Sequence, residues 1–240
     1  MSAKTLARGH RQERRSESPA FDPTPGKLIE AAGPVFAEHG FRAATVREIC
    51  SRAGTNVAAV NYHFGDKLGL YTAVLKESVR ASKVSVMEEV LRRKAPPEEL
   101  LRALIKARVQ TANRAGLPDW HFRILIHEMA QPTPAMSRVF QEIGRPIFER
   151  MLGLIGTITG LPPHDEKTRL CAYSIMGQVF LYIMQGPFLA RIWPELKMTP
   201  EQLDRIAGHI ADFSLAYLHS VAAELRAGKQ GVKNGKPANH

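Results

Sequence analysis

The amino-acid sequence predicts an all-α protein, and three observations support this fold class. Nearly every segment repeats its apolar residues at the three- and four-residue spacing of a helix, and no run alternates as a half-buried strand would. Glycines and prolines mark the ends of these apolar patterns. The apolar fraction of 44% is ordinary for a globular chain of 240 residues, so we expect a buried core.

The first helix is predicted from Pro25 to His39. Thr24 is a suitable N-cap, the proline suits the first turn, and Gly40 stops the helix. One face of this helix carries an apolar stripe that can form the face of a small core: Leu28, Ile29, Ala32, Val35 and Phe36.

The second helix is predicted to begin at Thr45 with a capping box. The threonine hydroxyl can accept the Glu48 amide while the Glu48 side chain reaches back, and Gly54 can end the helix in a left-handed conformation. A third helix then runs from Asn56 to about Phe64.

The remaining helices are longer. Asp66 caps a fourth helix that is predicted to continue to about Lys94. Further helices are predicted over roughly 96–115, 119–131, 134–159, 165–191 and 200–227. The resulting organisation is a flexible basic arm (1–23), a unit of three short helices (24–70), a larger helical domain (71–227) and a disordered tail (228–240).

The second and third helices have about two turns each, which is marginal for an isolated helix. Packed on the first helix and joined at Ala53-Gly54-Thr55, they form a predicted helix-turn-helix, whose second helix enters the DNA major groove. A generic three-helix core explains the apolar positions equally well. It does not explain the side chains of the third helix that suit close approach, base pairing or phosphate contact: Val57, Ala58, Ala59, Asn61, Tyr62 and His63.

The stretch from Gly26 to Leu75 combines several markers: His39-Gly40-Phe41, Thr45, Ala53-Gly54, Tyr62-His63-Phe64, Lys67 and Leu70-Tyr71. With them it resembles the DNA-binding domain of the TetR family of bacterial repressors. The resemblance implies a recognition helix over about Val57–Phe64. The mild departure is Gly69, where an acidic residue is more usual. Resemblance and residue chemistry together predict these DNA contacts: Thr45, Arg47, Thr55, Asn56, Val57, Ala58, Asn61, Tyr62, His63 and Lys67.

The second domain carries a narrower set of markers: His127-Glu128, Pro132-Thr133-Pro134-Ala135, Glu142, Pro146, Thr159-Gly160 and Ile175-Met176-Gly177-Gln178. These residues are similar to the ligand-binding domain of the CecR-type subgroup. The resemblance implies a regulator, expected to be a repressor, that controls transport or efflux genes and is released from DNA by a small aromatic or drug-like compound. No cofactor is expected.

A ligand pocket is predicted between the helices around 120–131 and 171–185, because each presents polar and aromatic groups at helical spacing. Simple packing or a structural Arg123–Glu128 pair explains these positions almost as well. The predicted pocket residues are Trp120, Arg123, His127, Gln131, Tyr173, Gln178 and Tyr182.

A homodimer is predicted from the two long apolar helices near the C-terminus. Their stripe can face a second copy or pack within the monomer: Ile206, Ile210, Phe213, Tyr217, Val221 and Leu225. A twofold dimer presents two recognition helices to a palindromic operator, with half-sites roughly 34–36 Å apart or a multiple of that spacing. One or two dimers per operator remain open.

The formal net charge of +10 and the pI of about 9.9 suit a polyanionic partner or serve solubility alone. The arm's cations can follow the DNA backbone or remain a solvated tail: Lys4, Arg8, Arg11, Arg14 and Arg15. A sequence-independent packaging protein is therefore the competing class. Steep salt dependence with little difference between DNA sequences would identify it.

Enzyme, metal and membrane alternatives have weak sequence support. His127-Glu128-Met129-Ala130-Gln131 lacks the second histidine of a zinc HExxH site, and Gly156–Gly160 resembles a nucleophile elbow without the preceding strand. The uncharged run 170–190 contains two glutamines and a proline, which favours a buried helix over a membrane span. Two separated cysteines fit reduced, buried thiols. We therefore expect a cytoplasmic non-enzyme without a metal.

Overall fold

A computed structural model describes residues 25–82, 84–112 and 119–234. The predicted basic arm of residues 1–23 and the Thr24 cap lie outside the described residues. The described residues contain no β-strand, so the all-α prediction is confirmed. They form twelve α-helices: α1 Pro25–Ala43, α2 Val46–Ala53, α3 Val57–Phe64, α4 Lys67–Ala81, α5 Val84–Arg92, α6 Pro97–Val109, α7 Trp120–Ala130, α8 Pro134–Val139, α9 Arg145–Thr159, α10 Glu166–Met184, α11 Gly186–Ile192 and α12 Pro200–Asn234.

The predicted Thr45 cap forms, but the Glu48 side chain bonds Arg52 and not the Thr45 amide as the predicted capping box requires. Gly40, at φ 70°, interrupts α1 after His39. The Thr45 hydroxyl accepts the Glu48 amide at 3.2 Å and opens α2. The Glu48 carboxylate accepts a 2.8 Å hydrogen bond from Arg52. Gly54 ends α2 at φ 68° and ψ 34°, a left-handed conformation that a side chain would disfavour.

The next two helices also begin at side-chain caps. Asn56 Oδ1 accepts the Ala59 amide at 3.2 Å and opens α3. Asp66 Oδ1 accepts the Gly69 amide at 2.7 Å and opens α4. These bonds satisfy amides that have no partner inside their own helix, so the turn between α2 and α3 is fixed by local chemistry.

The core of the N-terminal unit lies between α1, α2, α3 and α4. It also receives Ile124 from α7 and Ala135 and Val139 from α8, all of them buried. The predicted domain boundary at residues 70–71 falls within α4, whose buried Tyr71, on the far side of that boundary, belongs to this same core. The boundary stays a prediction.

A second core occupies the C-terminal part, between α5, α6, α9, α10 and α12. Contacts between α6 and α12 and between α9 and α10 close it. Within the residues that the structure describes, no helix is both long and apolar enough to cross a membrane.

Several predicted helix boundaries were wrong. The predicted fourth helix divides into α4 and α5 near Ser82, whose hydroxyl donates to the Val79 carbonyl and competes with helix continuation. The predicted helix over 165–191 divides at Gln185, because Pro187 supplies no amide hydrogen. The segment 134–159 contains a π-helical turn, Phe140–Gly144, between α8 and α9.

The last helix extends into the predicted tail. Helix α12 continues to Asn234, past the predicted helix end at residue 227, although glycines stand at positions 228 and 231. Each glycine lowers helix propensity by about 1 kcal/mol, and the lysine and glutamine between them favour the helix. Residues 235–240 lie outside the part of the chain that the structure describes.

Candidate nucleic-acid interface and ligand cavity

Helix α3 buries one face and exposes the other. Ala59 and Val60 are buried in the N-terminal core, whereas Tyr62 is 81% exposed and Val57 is 45% exposed. Of the ten predicted DNA contacts, seven are exposed: Thr45, Arg47, Asn56, Val57, Ala58, Asn61 and Tyr62. Thr55, His63 and Lys67 are half-buried. The exposed residues of α3 combine small, amide and aromatic side chains, as a groove-reading surface requires.

Two of the predicted contacts also have a role in the fold. Asn56 caps α3 with its side-chain oxygen. The Lys67 ammonium donates to the Arg42 carbonyl at 3.1 Å and lies 4.9 Å from the centre of the Phe41 ring. Burial lowers the pKa of Lys67 from its ordinary value. The backbone carbonyl and the ring therefore fix the position of this cation beside the recognition helix.

A buried hydrogen-bond network joins the N-terminal unit to the second domain. Glu128 of α7 is 2% exposed and accepts three hydrogen bonds. Tyr71 of α4 donates its hydroxyl at 2.7 Å, and Thr133 donates both its amide and its hydroxyl at 2.8 Å. Burial and the neighbouring carboxylate raise the pKa of Tyr71, which keeps its hydroxyl protonated as the donor.

A cavity of about 630 Å³ lies within the second domain. Its volume is in the range of small-molecule sites. Its wall is mostly apolar, and six of the eight methionines of the chain line it: Met87, Met129, Met136, Met151, Met176 and Met184. Methionine side chains adapt to ligands of different shape. The π-helical turn contributes Phe140, Ile143 and Gly144 to the same wall.

The cavity has few polar groups. The hydroxyls of Ser78, Ser82 and Thr111 each donate to a carbonyl of the backbone nearby. Arg108 is different: its guanidinium donates to the Thr111 hydroxyl at 3.3 Å and lies 5.5 Å from the centre of the Phe180 ring. Burial lowers the pKa of Arg108, and among the described residues no carboxylate forms an ion pair with it.

His121 is the other notable polar residue of the cavity. Its Nδ1 atom is buried and has no hydrogen-bond partner among the described residues. Its ring lies against Trp120, with 3.6 Å between the ring centres. Asp119 also lines the cavity but is exposed. A half-buried cation and a buried, unpaired ring nitrogen thus face an apolar space.

None of the seven predicted ligand residues lines this cavity. Helices α7 and α10 both contribute to the cavity wall, but the seven predicted residues lie on other faces of the two helices. Their role in ligand binding stays a prediction. Trp120 packs on α1, where a Cβ at Gly33 would lie 2.5 Å from the indole, so only glycine admits the ring. His127 Nε2 lies 3.1 Å from the Ala37 carbonyl of α1. The neighbouring positions His121, Phe122, Leu125 and Met129 face the cavity.

The other five predicted residues also lie outside the cavity, because they are exposed or pack against other parts of the fold. Arg123 and Gln131 are exposed on α7 and at its end. Tyr173 is 57% exposed and stacks on Phe148 at 5.8 Å between ring centres. Gln178 donates to the Ser174 carbonyl of its own helix at 3.4 Å, and Tyr182 packs against the second core.

The sequence does contain a signal for Arg108 that the prediction missed. Leu101, Leu104 and Ile105 are buried on one face of α6, and Arg108 continues that face at helical spacing. A charged residue in an otherwise buried stripe needs a partner or a function.

An exposed apolar face lies on α10 and α12. Leu170, Tyr173 and Leu181 follow one side of α10 with exposures of 56%, 57% and 43%, and Gly177 on the same side faces open space. Phe213 and Tyr217 of α12 are 61% and 52% exposed. Three of the six members of the predicted dimer stripe are buried in the monomer: Ile206, Ile210 and Val221. For these three residues the alternative of packing within the monomer applies, and a dimer contact through the others stays a prediction.

Comparisons with known proteins agree with this architecture. The family profile for "Bacterial regulatory proteins, tetR family" matches residues 28–74. The profile for "HTH-type transcriptional dual regulator CecR, C-terminal domain" matches residues 97–218. The HTH-type transcriptional dual regulator CecR of Shigella flexneri is 30% identical over 166 residues, which cover 65% of this chain and 74% of that protein.

The chain belongs to the TetR family. Solved structures of the same fold include the transcriptional regulator FadR from Bacillus subtilis in complex with stearoyl-CoA, with a TM-score of 0.56 and 19% identity over 79% of this chain and 97% of that one. AibR in complex with isovaleryl coenzyme A and operator DNA has a TM-score of 0.55 and 19% identity over 78% and 95%. At this identity the solved structures establish the fold alone.

As a TetR-family member, the chain is a DNA-binding transcriptional regulator and not an enzyme. The CecR-type second domain that the sequence predicted is also confirmed. In the residues described by the structure, no group of three histidine, cysteine or acidic side chains is placed to hold a metal ion.

His121 gives this TetR-family cavity a pH dependence that can be measured. Burial lowers the pKa of His121 from its ordinary value, against a smaller opposing effect of Glu77. The unfolded chain therefore binds a proton more readily at this site, and stability is lost as the pH falls below the unfolded pKa of about 6.5.

We expect the free energy of unfolding to fall as the pH is lowered from about 7 to about 5, and to fall less for His121→Asn than for the wild type. Urea titrations at each pH measure this difference. His209→Asn, which alters an exposed histidine of α12, is the control and should follow the wild type. Parallel pH profiles for His121→Asn and the wild type would contradict the buried neutral imidazole.

Proposed function

We propose that the protein is a homodimeric repressor that binds a palindromic operator and is released when an effector occupies the cavity. The observation that carries this proposal is the position of α4. Helix α4 packs against α3, and its C-terminal end contributes Ser78, Val79, Ala81 and the cap residue Ser82 to the cavity wall. One helix therefore contacts both the recognition helix and the proposed effector cavity, as a two-state switch requires.

The proposed DNA contacts are the ten residues predicted from the sequence. Arg47, Asn61 and Tyr62 are exposed, and the Lys67 ammonium is held by the Arg42 carbonyl. Phosphate contacts position the protein, and base contacts from α3 select the sequence.

The proposed effector site is the methionine-lined cavity, in place of the seven residues predicted from the sequence. Its apolar wall and its few polar groups suit a small aromatic or drug-like compound. The titles of the FadR and AibR structures name acyl-CoA compounds as their ligands, which supports an organic effector in this fold. No cofactor is needed for this mechanism.

The proposed dimer uses the exposed apolar face of α10 and α12. A contiguous apolar surface on a soluble chain marks an interaction site, and helix pairs from two copies can form a four-helix interface. A salt bridge of 2.9 Å between Lys167 and Glu224 holds α10 and α12 together at one end of this face. Twofold symmetry then matches a palindromic operator.

The proposed targets are transport or efflux genes, following the CecR-type second domain, and the proposed location is the cytoplasm, where the operator DNA is. The test is selection of binding sites from genomic fragments with the purified full chain at physiological salt. We expect a palindrome, and its position beside a transporter gene would support the proposed targets. Recovery of fragments without a common motif would contradict the proposal.

Phe213→Glu is expected to convert the dimer to a monomer and to weaken operator binding at least tenfold, because two charges would meet at an apolar interface. Sedimentation velocity and operator titration measure the two effects. Val86→Glu is the matched control, since Val86 of α5 is 38% exposed and lies away from this face. A Phe213→Glu dimer of unchanged stability would place the interface elsewhere.

A further inference from the structure

We propose that the effector is an amphipathic organic anion whose carboxylate binds Arg108 and His121 while its apolar body fills the methionine-lined cavity. This inference rests on the proposed function, because it assigns a ligand class to the same cavity. It goes beyond the shape of the site by specifying the charge of the ligand.

Arg108 is a half-buried cation of the cavity without a counter-ion. It lies between the Phe180 ring and the Thr111 hydroxyl, and no carboxylate among the described residues neutralises it. A charge that is partly removed from water without a counter-ion costs stability, so the fold alone does not explain it. A ligand carboxylate would supply the missing charge and accept two parallel hydrogen bonds from the planar guanidinium.

The Nδ1 atom of His121 is buried at the same cavity and has no hydrogen-bond partner in the part of the chain that the structure describes. Buried polar atoms in proteins are normally paired, and an exception calls for a ligand or an ordered water. Burial lowers the pKa of this imidazole, which favours its neutral form, and a neutral imidazole can donate from Nδ1 to a carboxylate oxygen.

The other polar groups of the cavity wall are already hydrogen-bonded or exposed to solvent. The serine and threonine hydroxyls of the cavity already donate to backbone carbonyls. Asp119, the carboxylate that lines the cavity, is exposed to solvent and forms no ion pair with Arg108. Arg108 therefore balances one negative charge, which matches a monoanion with a large apolar body better than a neutral or cationic compound.

The test compares matched probes that differ only in the charged group. Isothermal titration calorimetry and thermal shift are measured for decanoate against decanol and for naphthylacetate against naphthylethanol, below their micelle concentrations. The wild-type chain should bind each carboxylate at least about tenfold more tightly than its alcohol, as expected for a hydrogen-bonded charge pair. Arg108→Met should abolish this preference and still bind the alcohols.

Two further variants separate charge from folding. Arg108→Lys retains a cation and should keep part of the preference for carboxylates. Arg123→Gln removes one positive charge from an exposed position of α7 outside the cavity and should behave as the wild type. Arg108→Met should melt at or above the wild-type temperature, because it replaces an unpaired, half-buried charge by an apolar side chain.

The outcomes distinguish this inference from the proposed function. Equal binding of carboxylates and alcohols, or binding of alcohols alone, would overturn the anion inference while leaving the cavity as an effector site. Binding of no probe would overturn the anion inference and count against the cavity as the effector site. A carboxylate preference that survives in Arg108→Met would show that a different group recognises the anion.

Discussion

Glu128→Ala is expected to lower the free energy of unfolding by about 3–5 kcal/mol. The buried carboxylate accepts hydrogen bonds from the Tyr71 hydroxyl and from the amide and hydroxyl of Thr133. Alanine would leave the buried Tyr71 hydroxyl and the half-buried Thr133 donors without this acceptor. Urea titration followed by circular dichroism measures the effect.

The matched variants identify the cause of that loss. Tyr71→Phe removes a single donor and keeps the ring that packs on Phe36 at 4.7 Å, so a loss of about 1–3 kcal/mol is expected. Arg123→Ala changes an exposed residue of the same helix as Glu128 and should remain within about 0.5 kcal/mol of the wild type. Equal losses in Glu128→Ala and Arg123→Ala would show that the network does not stabilise the junction of α4 and α7.

Asn61→Ala is expected to weaken binding to the selected operator by about 1–3 kcal/mol and to relax the preference at one base pair. The side chain is exposed on α3, and its backbone carbonyl, which accepts the Gly65 amide at 3.0 Å, is retained in alanine. The fold should therefore be unchanged. Fluorescence anisotropy against operators substituted one base pair at a time measures both effects.

Lys67→Ala provides the contrasting result for that experiment. Its ammonium is held against the Arg42 carbonyl and the Phe41 ring, at the edge of the reading unit, where it can contact a phosphate. We expect it to weaken all DNA sequences by a similar factor and to reduce the salt dependence by about one ion. Retention of full specificity by Asn61→Ala would place the recognition surface elsewhere.

Local signals explain why the DNA-binding part could be predicted from the sequence. Thr45, Asn56 and Asp66 each cap the helix that follows, and Gly54 adopts the left-handed conformation that ends α2. Each of these features depends on a few consecutive residues, so single-sequence reasoning can find it. Which of the exposed residues touch DNA stays a prediction.

The residues that line the cavity could not be predicted from the sequence, because they are determined by contacts between helices that are far apart in the chain. The prediction selected the polar and aromatic face of α7, but that face packs on α1, where Gly33 admits the Trp120 ring. The neighbouring face, with Phe122 and Met129, lines the cavity. The pairing of α1 with α7 joins residues about 90 positions apart, as in the contact between His127 and Ala37.

Helix breaks were a further source of error. The apolar spacing continues through Ser82, and nothing in that spacing reveals that its hydroxyl bonds the Val79 carbonyl and ends α4. On α12, periodicity alone could not divide the apolar stripe between monomer core and exposed face. Ile210 is 1% exposed and Phe213 is 61% exposed, although both belong to the predicted dimer stripe.

We expect this chain to read a particular DNA sequence. The most direct measurement is the affinity of the purified protein for its selected palindrome and for a scrambled duplex of the same composition, at several salt concentrations. We expect a preference of at least about a thousandfold at physiological salt, which persists as salt rises. Equal affinities that fall together with increasing salt would contradict it and indicate sequence-independent binding.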